Sequence, residues 1–294
     1  MKSKLLLQIA LLAGVLIGSD LNGQIYVANS GNYSIGEYSL TGGTLAASLI
    51  TGVASSQSMT VYGSNIFTAN FGSSSVGEYT LTGGTVSAFL LTGLDSPLGI
   101  AVSGSNIFCS SLNGNTIGEY TLTGGTVNTS FISGLNQPHG MVVVGSDLFV
   151  ANQGSNTIGE YTLTGGTLNA SLITGLNNPV GLAVSGSNLF VSNYNTGTIG
   201  EYTLTGGTVN TALVSGLTTP NSVAVAGSNL FVSNYNTGTV GEYTLTGGTV
   251  NASLISGLNS PTSMVAVVPE PGCFALIGLG AATVITALRR RKVS

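Results

Sequence analysis

One tripeptide recurs at a constant interval through most of this chain. Gly-Glu-Tyr occurs six times, each copy 41 residues after the one before, with no insertion or deletion. The copies begin at Gly36, Gly77, Gly118, Gly159, Gly200 and Gly241. The register extends over residues 23–268, which is six repeats of 41 residues. A fixed period of this length is typical of repeat architectures, in which each unit is one supersecondary element that packs against its neighbours.

Each repeat contains four short β-favouring stretches separated by turn residues. In the repeat 187–227 the expected strands are 189–192, 198–204, 209–214 and 222–225. Four strands in about 40 residues is the period of a propeller blade, whereas a β-solenoid, the competing fold, has a shorter period of about 20 residues. The sequence therefore predicts an all-β, six-bladed β-propeller with four-stranded antiparallel blades.

The two ends of the array indicate how the ring closes. The array opens with an apolar strand at 25–27 and ends with 261–267, which matches the innermost-strand segment 220–225 of the preceding repeat. We therefore expect one composite closing blade, with its innermost strand from 263–268 and its other three strands from 25–50. This pairing removes the open sheet edges that a linear array would leave.

The amino-acid sequence of the repeat is similar to that of a known repeat family. Residues 179–184 read Pro-Val-Gly-Leu-Ala-Val, 188–193 read Asn-Leu-Phe-Val-Ser-Asn, and 199–202 read Ile-Gly-Glu-Tyr. These segments resemble the NHL repeat, whose pattern is Pro-x-Gly-Ile-Ala-Val, Asn-Leu-Tyr-Val-Ala-Asp and Ile-x-x-Phe. The family's Asp is replaced by an amide or hydroxyl residue, which we expect to cap the following turn. These residues are Asn29, Asn70, Ser111, Asn152, Asn193 and Asn234.

Charge is concentrated at the two ends of the chain. Residues 5–288 contain no Lys or Arg, so the repeats offer no cationic surface to neutralise phosphates, and nucleic-acid binding is not expected. At the N-terminus, the basic residues Lys2 and Lys4 precede the largely apolar run 5–17, which is too short to span a bilayer. We interpret residues 1–22 as a signal peptide cleaved by signal peptidase between Gly18 and Gln24; an uncleaved anchor is the alternative.

The C-terminal segment 269–294 has three parts in a fixed order. Pro269, Glu270 and Pro271 follow the last strand, residues 272–288 carry no charge, and a basic cluster closes the chain. The cluster consists of Arg289, Arg290, Arg291 and Lys292. This order resembles the PEP-CTERM sorting signal, which implies a bacterium with two membranes and processing by an exosortase, a membrane transpeptidase.

Physical chemistry gives a similar picture of this segment. Seventeen helical residues span about 25 Å, slightly less than the roughly 30 Å thickness of the hydrocarbon core of a bilayer. The basic cluster is expected to stay on the cytoplasmic side of the membrane. We therefore predict a single transmembrane helix in 269–294. The propeller is then secreted across the inner membrane, anchored there, and later found at the cell surface or outside the cell. A plain single-pass anchor without sorting is the alternative.

No constellation of catalytic or metal-ligating residues is visible, so we predict no cofactor and no metal. Six glutamates recur in the repeats but are expected too far from the axis to converge. They are Glu37, Glu78, Glu119, Glu160, Glu201 and Glu242. His139 is the only histidine, and Cys109 and Cys273 lack disulfide or metal spacing. We predict that the protein is not an enzyme; a gluconolactonase-like hydrolase is the less favoured alternative.

One repeat position diverges more than any other, immediately after the loop proline or its equivalent. It holds Gln57, Leu98, His139, Val180, Asn221 and Thr262. Since this position begins each innermost strand, we predict that the six side chains form a binding rim at one mouth of the channel; neutral drift is the competing interpretation.

Two functions follow from these observations. The first is a structural or adhesive role in the cell envelope or extracellular matrix, for example in a biofilm. The alternative is a specific binding module that recognises a polysaccharide or a surface protein through the rim.

Overall fold

The computed structural model describes residues 23–268. The predicted signal peptide, the Pro269–Pro271 motif, the transmembrane helix and the basic cluster lie outside the described residues. Residues 25–266 form one compact unit. Within the described residues, no helix is long and apolar enough to cross a membrane.

The repeats fold into six four-stranded antiparallel sheets, as predicted. Blade 1 contains β1 (Gln24–Asn29), β2 (Ser34–Ser39) and β3 (Thr44–Thr51). Blade 2 contains β4 (Ser56–Tyr62), β5 (Asn65–Asn70), β6 (Ser75–Thr80) and β7 (Thr85–Thr92). Blade 3 contains β8 (Pro97–Ser103), β9 (Asn106–Ser111), β10 (Thr116–Thr121) and β11 (Thr126–Ile132).

The remaining blades repeat this order. Blade 4 contains β12 (Pro138–Val144), β13 (Asp147–Asn152), β14 (Thr157–Thr162) and β15 (Thr167–Ile173). Blade 5 contains β16 (Pro179–Ser185), β17 (Asn188–Asn193), β18 (Thr198–Thr203) and β19 (Thr208–Val214). Blade 6 contains β20 (Pro220–Ala226), β21 (Asn229–Asn234), β22 (Thr239–Thr244) and β23 (Thr249–Ile255), and β24 (Pro261–Val267) completes blade 1. Two short 3-10 turns, Phe71–Ser73 and Gln153–Ser155, follow β5 and β13.

Blade 1 is composite, as predicted: its sheet order is β24-β1-β2-β3. The closing strand begins at Pro261, two residues earlier than expected. It is tied to both neighbouring blades, because the Met59 amide donates to Ser263 Oγ at 2.9 Å and the Met264 amide donates to Ser222 Oγ at 3.1 Å. The strand from the end of the array therefore closes the ring.

The hydrophobic core lies between adjacent blades. Between blades 3 and 4, for example, Phe108 and Ile117 pack with Leu148 and Tyr161 in one buried cluster. Comparable clusters fill the spaces between blades 2 and 3, 4 and 5, and 5 and 6. Because each blade buries both faces against its neighbours, the strands are held as stacked sheets around a central channel.

The Gly-Glu-Tyr motif has a packing explanation. Gly118 and Tyr120 lie on the same face of β10, since side chains two residues apart share a face. The ring of Tyr120 folds over Gly118, and a Cβ at Gly118 would lie only 2.7 Å from the ring atom Cε2. The glycine therefore makes room for the tyrosine, which is 7% exposed and belongs to the core between blades 2 and 3.

The predicted turn caps after the second strands are mostly wrong. Ser111 caps the following turn, accepting from the Gly114 amide at 3.0 Å, and Asn234 Nδ2 donates across its turn to Thr239 Oγ1 at 3.5 Å. Asn193 instead accepts from the Asn177 amide, in the loop before the innermost strand. The Oδ1 atoms of Asn29, Asn70 and Asn152 are buried without a hydrogen-bond partner among the described residues. The amide side chains point into the blade because this position is buried.

Candidate functional site

The central channel contains a cavity of about 340 Å³ lined by residues from all six innermost strands. The lining side chains are apolar or carry a hydroxyl or amide, and His139 is the only titratable one among them. Within the described residues, no Asp, Glu, Lys, Arg, Cys or Tyr lines this cavity. A channel with this lining can bind a ligand through hydrogen bonds and apolar contacts.

The predicted rim residues lie at this cavity but are largely buried. Five of the six line it: Gln57, His139, Val180, Asn221 and Thr262. Leu98 is not among the lining residues. Only Gln57 is half-exposed, whereas the other five are at most 9% exposed. Thr262 Oγ1 donates to the carbonyl oxygens of Ala28 and Ser56 at 3.3 and 2.5 Å. A ligand-contacting role for these six residues stays a prediction.

The residue after the rim position divides the channel mouth into two halves. Three neighbouring blades carry serine there, and we call Ser58, Ser222 and Ser263 the serine half. Two of these hydroxyls accept hydrogen bonds from the next blade, from the amides of Met264 and Met59. Ser58 is half-exposed and keeps a hydroxyl at the cavity. This side of the mouth therefore offers polar side chains.

The opposite three blades carry glycine, and we call Gly99, Gly140 and Gly181 the glycine half. A Cβ at Gly99 would overlap the His139 carbonyl oxygen of the next blade, and a Cβ at Gly140 would overlap that of Val180. Ser110 Oγ also donates to the His139 carbonyl at 3.3 Å. The backbones of neighbouring blades thus approach too closely here for a side chain, and the mouth is not six-fold symmetric.

His139 is held in its neutral form by burial. Its side chain is 8% exposed, and burial lowers the pKa of the imidazole from 6.5 to about 4. The imidazole at the cavity is therefore uncharged at neutral pH, when it can donate one hydrogen bond and accept another.

This lowered pKa predicts a specific acid sensitivity. The unfolded chain takes up a proton on His139 between pH 6.5 and 4 whereas the folded chain does not, so stability falls as pH falls through this window. We expect wild type to lose about 2 kcal/mol relative to His139→Leu between pH 7 and pH 5. Leucine is the residue that blade 3 carries at this position. Urea unfolding of both proteins measures the difference, and a gap that does not change with pH would contradict the lowered pKa.

The six recurring glutamates lie on the third strands and do not line the cavity. Glu37 accepts a hydrogen bond from the Tyr26 hydroxyl at 3.4 Å. Four others accept a 2.6 Å hydrogen bond from an asparagine amide 13 residues earlier. The pairs are Asn65–Glu78, Asn106–Glu119, Asn188–Glu201 and Asn229–Glu242. In blade 4, Asp147 replaces the asparagine, and burial together with this carboxylate raises the pKa of Glu160. Residues 23–268 contain no cluster of three or more His, Cys, Asp and Glu that could hold a metal.

Cys109 is a buried free cysteine on β9. Burial raises the pKa of its thiol to about 12, so the thiol stays protonated at physiological pH. Because the thiolate is the nucleophilic and metal-binding form, Cys109 acts as a core residue. Cys273 lies outside the described residues.

A second candidate surface is formed by the outermost strands. The second residue of each is apolar and 45–54% exposed. We call these residues the outer stripe: Leu45, Val86, Val127, Leu168, Val209 and Val250. Each follows a threonine, and none of the six strands contains a charged residue. The ring thus presents the same hydroxyl-flanked apolar site six times on its periphery.

Solved structures share the fold, although no protein-family model and no curated protein significantly matches the sequence. A chain of the nidogen/laminin complex aligns with a TM-score of 0.72 at 18% identity, over 84% of this chain and 100% of that chain. A streptogramin B lyase aligns with a TM-score of 0.63 at 21% identity, over 83% of each chain. Virginiamycin B lyase from Staphylococcus aureus gives 0.55 at 20% identity, over 77% of this chain and 82% of that chain. At these identities the likeness shows the β-propeller fold alone, which serves both binding proteins and enzymes.

Sequence reasoning identified the divergent position but missed two other features of the repeat. The serine and glycine halves occupy the next column of the repeat, where Ser and Gly divide the six copies equally. The outer stripe is visible as an apolar residue after the threonine that follows each Gly-Gly turn. Both signals were present, but neither reveals its exposure without the blade register.

Proposed function

We propose that this protein is an exported β-propeller of the cell envelope or extracellular matrix with a structural or adhesive role, and that it is not an enzyme. The observation that carries the proposal is the outer stripe, an exposed apolar residue flanked by hydroxyl groups and repeated once per blade. Repetition of one weak site around a rigid ring favours multivalent attachment, because linked sites bind with a high effective concentration.

The near absence of charge supports the same role. The six outer strands contain no charged residue, and residues 5–288 contain no Lys or Arg. A surface of this kind has little electrostatic repulsion towards a second surface, which suits a protein that stays attached. Export, anchoring in the membrane and exosortase processing at Pro269–Pro271 rest on the sequence of residues 1–22 and 269–294.

Binding is favoured over catalysis by the chemistry of the channel. Acid–base or metal-assisted reactions need titratable groups that converge on one point. Among the residues lining the cavity, His139 is the only such group, and the six repeated glutamates lie on the third strands. One of the lyase structures is a catalytically inactive histidine-to-alanine variant with quinupristin bound. A hydrolase or lyase activity here would have to operate with a single neutral imidazole.

The proposal predicts that adhesion depends on the number of intact stripe residues. Replacing all six with threonine places a strand-favouring, β-branched residue at every position, close in size to the four valines, but makes the exposed side chain polar. We expect at least a tenfold loss of binding to the native cell surface or matrix, whereas Val127→Thr alone causes less than a twofold loss because five sites remain. Retention of the labelled protein on cells after washing measures this effect.

A matched control changes the neighbouring position on the same strands. Serine at all six preceding threonines keeps the hydroxyl groups and the stripe, and we expect it to bind like wild type; the residues are Thr44, Thr85, Thr126, Thr167, Thr208 and Thr249. Far-UV circular dichroism checks that every variant is folded. If the folded six-fold stripe variant binds as well as wild type, the adhesive role of the stripe is wrong.

Specific binding at the channel mouth is the second candidate, favoured by the asymmetry between the serine and glycine halves. A mouth with polar groups on one side fits one ligand orientation, such as an uncharged polypeptide segment, with a polysaccharide as the competing ligand. The double variant Gln57→Ser, Asn221→Ser changes two cavity-lining side chains that lie next to Ser58 and Ser222 of the serine half. Loss of binding in this variant, with the stripe variant unaffected, would favour the channel.

A further inference from the structure

Four outermost strands carry an asparagine whose side chain forms a hydrogen bond with the backbone of its own strand. In β11, β15, β19 and β23, Oδ1 of the third residue accepts a hydrogen bond from the amide two residues later, at 3.0 to 3.1 Å. The asparagines are Asn128, Asn169, Asn210 and Asn251, and all are exposed. With Oδ1 engaged, the Nδ2 atom is the free end of each side chain; it makes no hydrogen bond within residues 23–268.

In three of these four strands, the residue two positions later is serine. The segments are Asn128-Thr129-Ser130, Asn169-Ala170-Ser171 and Asn251-Ala252-Ser253, and every residue in them is exposed. Asn-X-Ser/Thr is the acceptor sequence for N-linked glycosylation of exported proteins. The fourth strand reads Asn210-Thr211-Ala212, which has the same hydrogen bond and exposure but lacks the hydroxyl group.

One further Asn-X-Ser sequence exists in the repeats, and its environment differs. Asn32-Tyr33-Ser34 lies between β1 and β2, and Ser34 is only 3% exposed. The Ser34 hydroxyl donates to Asn32 Oδ1 at 2.8 Å, so it is both buried and occupied. A transferase that must contact the serine hydroxyl cannot reach it in the folded protein. The sequence alone gives four acceptor sites, whereas the structure leaves three.

We propose that Asn128, Asn169 and Asn251 carry N-linked glycans in the mature protein. Nδ2 forms a bond to the anomeric carbon of a glycosyl diphosphate donor while the bond from that carbon to the diphosphate oxygen breaks. The diphosphate leaves with the electron pair, and the amide nitrogen gives up one proton to water. The proposal rests on the export part of the proposed function, because acceptor and transferase must meet outside the cytoplasm.

The position of these sites suits the exposed strand edges. An outer strand presents unpaired backbone groups that can pair with other chains, and proteins commonly blunt such edges with Lys, Pro or a bulge. The outer strands here contain neither Lys nor Pro. Each of the four strands that carry an asparagine has a register shift at that residue, as at Asn128 opposite Glu119. A glycan on this bulge shields the strand edge of blades 3, 4 and 6 from backbone pairing, and leaves only the edges of β3, β7 and β19 open to pair with another chain.

Intact mass of the full chain expressed in its native host tests the proposal. We expect a mass above that of the polypeptide by three glycans. Ser130→Ala, Ser171→Ala and Ser253→Ala should each remove one glycan mass in addition to one oxygen atom. Ala212→Ser is the matched gain-of-site control, because it completes the acceptor sequence at Asn210 in an unchanged backbone, and it should add a fourth glycan.

The same spectra separate this proposal from the proposal of export. A polypeptide trimmed at its ends but without added mass would mean that export holds and glycosylation is wrong. A chain that still begins at Met1 and ends at Ser294 without added mass would overturn both. A glycan that survives all three serine variants, or that depends on Ser34, would show that the exposed edge sites are not the acceptors.

Discussion

A chain that runs from residue 23 to 260 is expected to lose cooperative folding, whereas a chain that runs from 23 to 268 keeps it. The shorter chain lacks β24, the innermost strand of blade 1. Without it, the edge of β1 is open, although Ile25, Tyr26 and Val27 are at most 1% exposed in the closed ring. The stabilising free energy lost with this strand is expected to exceed the whole free energy of unfolding of a typical domain, which is roughly 5–15 kcal/mol.

Hydrogen bonds at the ring closure disappear together in the shorter chain. The Met59 amide loses Ser263 Oγ as its acceptor, and the Ser222 hydroxyl loses the Met264 amide as its donor. Urea unfolding followed by far-UV circular dichroism should give one sharp transition for the chain ending at 268 and a broad or absent one for the chain ending at 260. Equal midpoints for the two chains would contradict closure by β24.

This result also bears on processing at the C-terminus. The proposed exosortase motif begins at Pro269, one residue beyond the described segment. Cleavage there leaves every residue of β24 in the mature protein. A released propeller is therefore expected to be as stable as the uncleaved one, and sorting does not need to be coupled to unfolding.

The sequence was sufficient to predict the blade and the closing strand because repetition reports them directly. Each copy of Gly-Glu-Tyr marks a third strand, and the unpaired segment 261–267 at the end of the array matches only an innermost strand. Its membership of blade 1 follows from counting strands. These features depend on the order of elements along the chain, which a sequence contains in full.

Burial at the channel mouth could not be predicted in the same way. The alternation of side chains along an innermost strand changes where a bulge intervenes, since one extra residue turns the following side chains to the other face. A register shift lies between Pro138 and Met141, on either side of His139. Pattern alone therefore placed His139 at an open rim, whereas the bulge places it in a buried position.

The partner of each glutamate was missed for a related reason. Asn65 and Glu78 are 13 residues apart in sequence, and they meet because β5 and β6 pair with Asn65 opposite Thr80 and Phe67 opposite Glu78. Only the register of this hairpin brings the amide to the carboxylate. The same register places Asp147, which replaces the asparagine in blade 4, near Glu160, and this explains why the Asp147 carboxylate contributes to raising the pKa of Glu160.

Gly99→Ser is expected to destabilise the protein by about 3 kcal/mol, even though three repeats carry serine at the equivalent position. A Cβ at Gly99 would overlap the His139 carbonyl oxygen, which belongs to the backbone of the next blade and cannot rotate away. The Gly99 amide also donates to Ser110 Oγ at 2.7 Å, and this bond holds the segment in place. Blades 3 and 4 must separate to admit the side chain, and this opens the core between them.

The reverse substitution, Ser58→Gly, is the matched control and is expected to cost about 1 kcal/mol or less, mainly through backbone entropy. In blade 2 the bulge is placed differently: Ser58 pairs with Ala69, whereas Pro97 and Ile100 are the pairing residues that flank Gly99. Urea midpoints of the two variants measure the difference. If both cost the same, the repeats tolerate Ser and Gly interchangeably, and the two halves of the mouth arose from drift; if Gly99→Ser costs far more, the two halves are fixed by how closely neighbouring blades approach.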